Sequence, residues 1–248
     1  MDGYPNGGLG GIKSSGKWYP SDKRLTGMPV RLSELGDSMT IQWKVSQENA
    51  LDSDDKWMTS INMIFDSGTA YSEPNRNKRH YDLVIESNSH NFDNSTQDRK
   101  HGKKENYFAR NNDGSLRPFI ITVESKKYHY AVRYKFYRDS GLKNDKVHVK
   151  YIPINEANVP PYLDHSVKSF IDNSKEFIKY TKMPHDKRAL ANEKVANSTL
   201  YLKAINAGYE VYILRRYLFL LLFHLRPKVS QSELLYLHSH LQWFAYLS

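Results

Sequence analysis

The chain has 248 residues, 39% hydrophobic and 25% charged, which suits one globular domain able to bury a real core. It contains no cysteine, and this excludes disulfides and thiolate metal sites. The net charge of +9 admits a polyanion, but Lys and Arg are scattered among Asp and Glu, with no Arg-rich helix, zinc-finger spacing or RNA-binding signature, so nucleic acid is not the expected partner.

Residues 1–17 are rich in Gly, with Ser and Lys, and are expected to form a flexible opening segment. Met1-Asp2-Gly3-Tyr4-Pro5 shows no basic region followed by an apolar run, so no signal peptide is expected there. Trp18 and Tyr19 come next, then a turn at Thr26-Gly27. Met39 to Val45 alternates strictly and reads as a strand with one buried face, Trp43 in phase with Met39, Ile41 and Val45. Trp57 to Phe65 is the next strand, closed by Asp66-Ser67-Gly68. Tyr81 to Glu86 is another β-rich run. Asp82, Val84 and Glu86 share one face, and Tyr81, Leu83 and Ile85 share the other. Two acids on one face are odd for a core and natural for a solvent-lined cleft. The other reading is a pair of solvated edge residues. At about 3.3 Å per residue, Asp82 and Glu86 lie roughly 13 Å apart.

Residues 87–117 read as a long polar connection with a turn at Asn112-Asp113-Gly114. Lys100 to Lys104 reads as a solvated loop. The ten His residues show no metal-ligand spacing on a helix, so no metal site is inferred. Phe119 to Val123, Tyr128 to Tyr137 and Lys146 to Ile154 read as three successive strands. In the second, Tyr128, Tyr130, Val132, Tyr134 and Phe136 share a face. His148 and Lys150 are in phase and face outward or into the cleft. Pro160-Pro161 ends the strands. Asp164 can cap a helix whose stripe is Val167, Phe170, Ile171, Ser174, Phe177 and Ile178, giving one helix over about 164–180. Residues 181–196 are a charged connection, helical in part.

From Leu202 onward, Leu202 and Ala204, then Ala207, Tyr209 and Val211, alternate apart from a slip near Asn206. This reads as strand, bulge, strand. Gly208 lets another group approach the backbone. Glu210, between Tyr209 and Val211, suits a general acid, because partial burial favours the protonated carboxyl. The alternative is a surface Glu on a half-exposed strand.

Tyr201-Leu202, Ile205, Ala207-Gly208 and Glu210 resemble the late strand of glycoside hydrolase family 12, whose pattern is roughly Y-L-x-x-I-x-A-G-x-E and whose Glu is the general acid/base. Gly27, Pro29, Arg31 and Ser33 keep the spacing of the family's early G-L-P-x-R-V-S-D-I segment. The family's nucleophile strand, E-[LI]-M-I-W, lies over Asp82 to Glu86, with Asp82 at the Glu position and Glu86 at the Trp position. The family's one helix, packed on the convex side of its sheets, falls at about 164–180.

The resemblance covers about residues 4–212. It implies an all-β jelly-roll sandwich of two antiparallel sheets with a concave cleft, the domain spanning 18–212 and followed by an atypical apolar tail, 213–248. The implied reaction is endo-hydrolysis of a β-1,4-glucan such as cellulose, mixed-linkage glucan or xyloglucan. Glu210 protonates the leaving oxygen, and Asp82 attacks the anomeric carbon or stabilises its charge. Trp18, Tyr19 and Glu86 are candidate substrate-binding residues. No cofactor is implied, the substrate is the partner, a monomer is expected, and family members act outside the cell.

Asp in place of Glu withdraws the carboxylate by about 1.5 Å. That change slows the covalent step, admits a water or leaves a binding site without turnover. A non-catalytic glycan-binding protein on the same fold, or a decayed enzyme, therefore stays open beside the hydrolase. In the tail, the apolar run Tyr217 to Phe223 is too short to span a bilayer, which needs about 20 residues.

Overall fold

The computed structural model describes residues 7–9, 12–14, 17–19, 30–36, 40–43, 56–67, 79–90, 96–98, 104–137, 146–155 and 159–213, giving the backbone alone at Trp18, Tyr19 and Glu210 among others. Within them run β1 (Gly7–Leu9), β2 (Ile12–Ser14), β3 (Lys17–Tyr19), β4 (Val30–Arg31), β5 (Thr40–Trp43), β6 (Lys56–Asp66) and β7 (Arg79–His90). Then come β8 (Lys104–Phe108), β9 (Pro118–Val123), β10 (Lys126–Tyr137), β11 (Lys146–Pro153), β12 (Leu163–Ser166), α1 (Val167–Glu176), α2 (His185–Lys194) and β13 (Tyr201–Ile213).

One large sheet has the order β1-β13-β6-β7-β11-β10-β8. The long strand β10 pairs β8 along its second half and β9 along its first. β4 lies beside the start of β13, and β1 beside its middle. Every pairing is antiparallel except β7 with β11, which run parallel with Tyr81 opposite Val147. The smaller sheets are β12 with β5 and β2 with β3.

Alternation decides the layers. Ile61, Met63 and Phe65 of β6, Tyr81, Leu83 and Ile85 of β7, Val147, Val149 and Tyr151 of β11, and Tyr130, Val132, Tyr134 and Phe136 of β10 all turn to one face and are buried together. Against that face pack Ile41 of β5, Leu163 of β12 and Val167, Phe170 and Ile171 of α1. The result is the all-β jelly-roll sandwich expected from the sequence, with helix and small sheet forming the second layer. Phe65 stacks on Tyr81 at 4.4 Å, and Phe170 meets Tyr151 edge to face at 5.0 Å.

The helix joins the sheet by hydroxyls as well as by area. Tyr151 Oη donates to the Phe170 carbonyl at 2.6 Å and to Asn173 Oδ1 at 3.0 Å, and Tyr134 Oη donates to the Ser174 carbonyl at 2.7 Å. Burial pushes both phenols well above their ordinary range, so they stay protonated donors.

The expected stripe Val167, Phe170, Ile171, Ser174, Phe177 and Ile178 is buried throughout. Its start is later than expected. Residues 164–166 belong to β12, so Pro160-Pro161 does not end the strands. The cap is Ser166, whose side chain accepts from the Ser169 backbone N–H, and not Asp164. The segment 87–117, read as a connection, carries the end of β7 and all of β8. The opening segment supplies β1 and β2, and the helical part of 181–196 is α2. On β13 the register shifts fall between Leu202 and Ala204 and between Val211 and Ile213, and not at Asn206. Residues 214–248 lie outside the described residues.

Candidate functional site

The face of the large sheet turned away from the core is polar along its middle. Register neighbours share a face, so Ser60 and Asn62 of β6, Asp82 and Glu86 of β7, His148 and Lys150 of β11, and Arg133 and Lys135 of β10 stand on this face together. Asp82 lies opposite His148, and Val84 opposite Lys150. The sequence phase of Asp82 with Glu86, and of His148 with Lys150, is what produces this surface.

Its carboxylates are not solvent-lined as expected. Asp82 is 4% exposed and Glu86 0%. Glu86 Oε2 forms an ion pair with Lys150 Nζ, 2.5 Å away, and Lys150 is itself only 1% exposed. The same ammonium donates to Met58 Sδ at 3.0 Å, so it reaches from β11 across β7 to β6. A buried carboxylate of this kind is held by a charge partner rather than by water. Sequence reasoning placed Lys150 on the right face and missed its partner, because the pairing of β7 with β11 joins segments far apart in the chain.

A bulge sits beside Glu86. Ser60 pairs with Glu86, whereas Thr59 pairs with Asn88, so Ser87 is the extra residue. Ser87 Oγ lies 2.7 Å from Thr59 Oγ1, which ties the bulge to β6.

β13 brings Glu210 opposite Met58, and Gly208 opposite Ser60. Asp82 stands opposite Ile64. From 58 to 64 along β6 is roughly 20 Å at about 3.3 Å per residue, and β6 itself separates the two strands. The register therefore does not bring Asp82 and Glu210 to the separation of about 5–5.5 Å that a retaining pair needs. Glu86, two β6 positions from Met58 or roughly 7 Å along the strand, is the nearer acid of β7.

No family model and no curated protein matches the sequence. Among solved structures, the chain is similar to a family 12 glycoside hydrolase from a comparison concerned with thermal stability, with 16% identity and a TM-score of 0.43 over 84% of this chain and 66% of that one. It is similar to an endo-1,4-β-glucanase in its native structure, with 12% identity and a TM-score of 0.44 over 84% and 67%. It is also similar to the native family 12 xyloglucanase from Bacillus licheniformis, with 13% identity and a TM-score of 0.43 over 78% and 62%. The chain thus spans about two thirds of the length of the chains it resembles.

Trp18 and Tyr19 fall on β3, opposite Lys13 and Ile12, in a sheet separate from the one that carries Asp82, Glu86 and Glu210. Their side chains lie outside the described residues, as does that of Glu210. Among the described residues, no group of three or more His, Asp or Glu could hold a metal ion, and no helix is long and apolar enough to cross a membrane.

Proposed function

We propose that the protein is a glycoside hydrolase that cleaves β-1,4-glucan within the chain, with Glu210 as the acid/base and residues 18–212 as the working domain. The observation that supports the reading is the placement of the Y-L-x-x-I-x-A-G-x-E pattern. It runs along a single strand, β13, paired to the interior of the sheet, and sets Glu210 in register with the polar face that carries Glu86 and Lys150. In this reading Glu210 protonates the leaving oxygen and then takes the proton of the attacking water. The resemblance gives Asp82 the second carboxylate's place, against which its register distance from Glu210 counts, and Trp18 and Tyr19 are sugar platforms. The polymer is met outside the cell, so secretion belongs to the same reading, and the protein acts as a monomer without a cofactor.

A second reading is glycan binding without turnover. The register separation of Asp82 from Glu210 favours it, as does the engagement of Glu86 with Lys150. Reducing-end assays on carboxymethyl cellulose, barley β-glucan and xyloglucan decide between the two. Cleavage is expected, and Glu210→Gln is expected to lower kcat by about 10²–10⁴-fold. If Asp82→Asn lowers it as far, Asp82 is the second carboxylate. A tenfold loss or less removes Asp82 from the chemistry. Folded protein that binds cello-oligosaccharides and releases no reducing ends replaces the hydrolase with the binding protein.

A further inference from the structure

The Lys150–Glu86 pair is placed where the core does not need it. It lies on the face opposite the apolar layer, between strands already joined by their backbone ladder. A buried pair of this kind stabilises no better than apolar residues of the same size and often less well, so fold stability alone does not account for it. Its third contact is specific. Lys150 Nζ touches the thioether of Met58, and Met58 is the residue opposite Glu210. The ammonium therefore lies within about 10 Å of the position of Glu210, with the Glu86 carboxylate paired to it.

We propose that Lys150 and Glu86 are positioning residues for the acid/base at 210. They fix Met58 opposite it and set the electrostatic field there through the balance of their two charges. This rests on the reading of Glu210 as the proton donor. Lys150 alone favours the carboxylate form of Glu210 and Glu86 alone favours the acid form. Together they nearly cancel, leaving Glu210 free to exchange a proton in both directions.

Two other charged residues are close neighbours of this point, Arg133 of β10 opposite Lys150 and Lys56 of β6 two residues from Met58. Asp82, His148 and Lys135 stand six β6 positions along. β6 contributes Asp66 at its far end, where Lys203 lies 4.0 Å away. On the other flank of β13, β1 brings Gly7, Gly8 and Leu9, and β4 brings Val30 with Arg31 opposite Tyr201, at the opposite end from Glu210.

The test is the pH profile of kcat/KM on barley β-glucan. Activity needs Glu210 protonated, so its basic limb follows the proton affinity of Glu210. Lys150→Met removes the positive member of the pair and is expected to move that limb up by about half a unit or more. Glu86→Gln removes the negative member and is expected to move it down by a similar amount. The double variant is expected to return the limb to near the wild-type position. Single variants whose melting temperature falls while the limb stays in place overturn the proposal, because a merely structural pair behaves that way. Should the single variants fail to fold, the exchanged pair E86K/K150E keeps net neutrality and moves the cation to β7, the strand beside β6, with the shorter carboxylate side chain on β11. The limb is then expected to move down, and a folded exchanged pair with an unmoved limb overturns the proposal. A wild-type protein that releases no reducing ends removes the hydrolase reading and this inference with it, whereas an active wild type with unmoved limbs removes only the inference.

Discussion

A hydroxyl that ends inside an apolar layer must find acceptors or destabilise the fold, and Tyr151 finds two, the Phe170 carbonyl and Asn173 Oδ1. Tyr151→Phe keeps the ring packed against Phe119 and Phe170 and removes only these bonds. It is expected to cost about 1–3 kcal/mol in urea unfolding, since Asn173 and a helix carbonyl lose a buried donor. An unchanged midpoint would show that water replaces the phenol there. At this scale the sequence was readable in part. Alternation put Asp82 and Glu86 on one face and Tyr81, Leu83 and Ile85 on the other, as found. It could not show that Glu86 meets Lys150, or how far Asp82 stands from Glu210, because both depend on register between segments far apart in the chain.

Whole elements follow the same division. β6, β7, β9, β10 and β11 were legible because their period of two runs long enough to stand out. β8 was hidden, since only Tyr107 and Phe108 break a polar stretch. α2 was hard to see for another reason: its buried side chains are Lys187, Ala191 and Lys194, so it carries no apolar stripe. β12 is short and follows two prolines, yet it matters to the packing of the helix. His165 on this strand meets the edges of the Phe119 and Phe170 rings, with Nε2 3.2 Å from Ser169 Oγ. Burial lowers its proton affinity, and the Asp164 carboxylate offsets this only in part. The folded state therefore prefers the neutral ring, while the unfolded chain takes up a proton near pH 6.5. Stability from this group is present above pH 6.5 and is lost as the pH falls from there toward the lowered folded value. Thermal melts are expected to show a lower melting temperature at pH 5.5 than at 7.5, with a smaller difference in His165→Gln. An equal difference in that variant would assign the acid sensitivity to other groups.

On the scale of the molecule, the large sheet is two parts joined at one parallel seam, and the part holding β13 is closed by pairings between segments far apart in the chain. β9, β10 and β11 pair in sequence order, and β9 turns into β10 through Glu124 and Ser125, both at positive φ, as a two-residue hairpin requires. β13 reaches β6 only across most of the chain. Contacts close in sequence form sooner, so backbone amides of β9, β10 and β11 are expected to gain protection before those of the β13–β6 pair in pulsed hydrogen exchange. Simultaneous protection would mean that the sheet closes in one step.

The long reach of β13 matters while the protein is being made. Residues 56–66 leave the ribosome well before 201–213, and until the later strand arrives one edge of β6 has no neighbour in the sheet. That edge belongs to a strand carrying Met58, Ile61, Met63, Ile64 and Phe65, the kind of unguarded border along which two nascent chains adhere. The segment that delivers Glu210 is therefore also the one that closes this border, and a chain halted before it would be at its most prone to cling to its own kind.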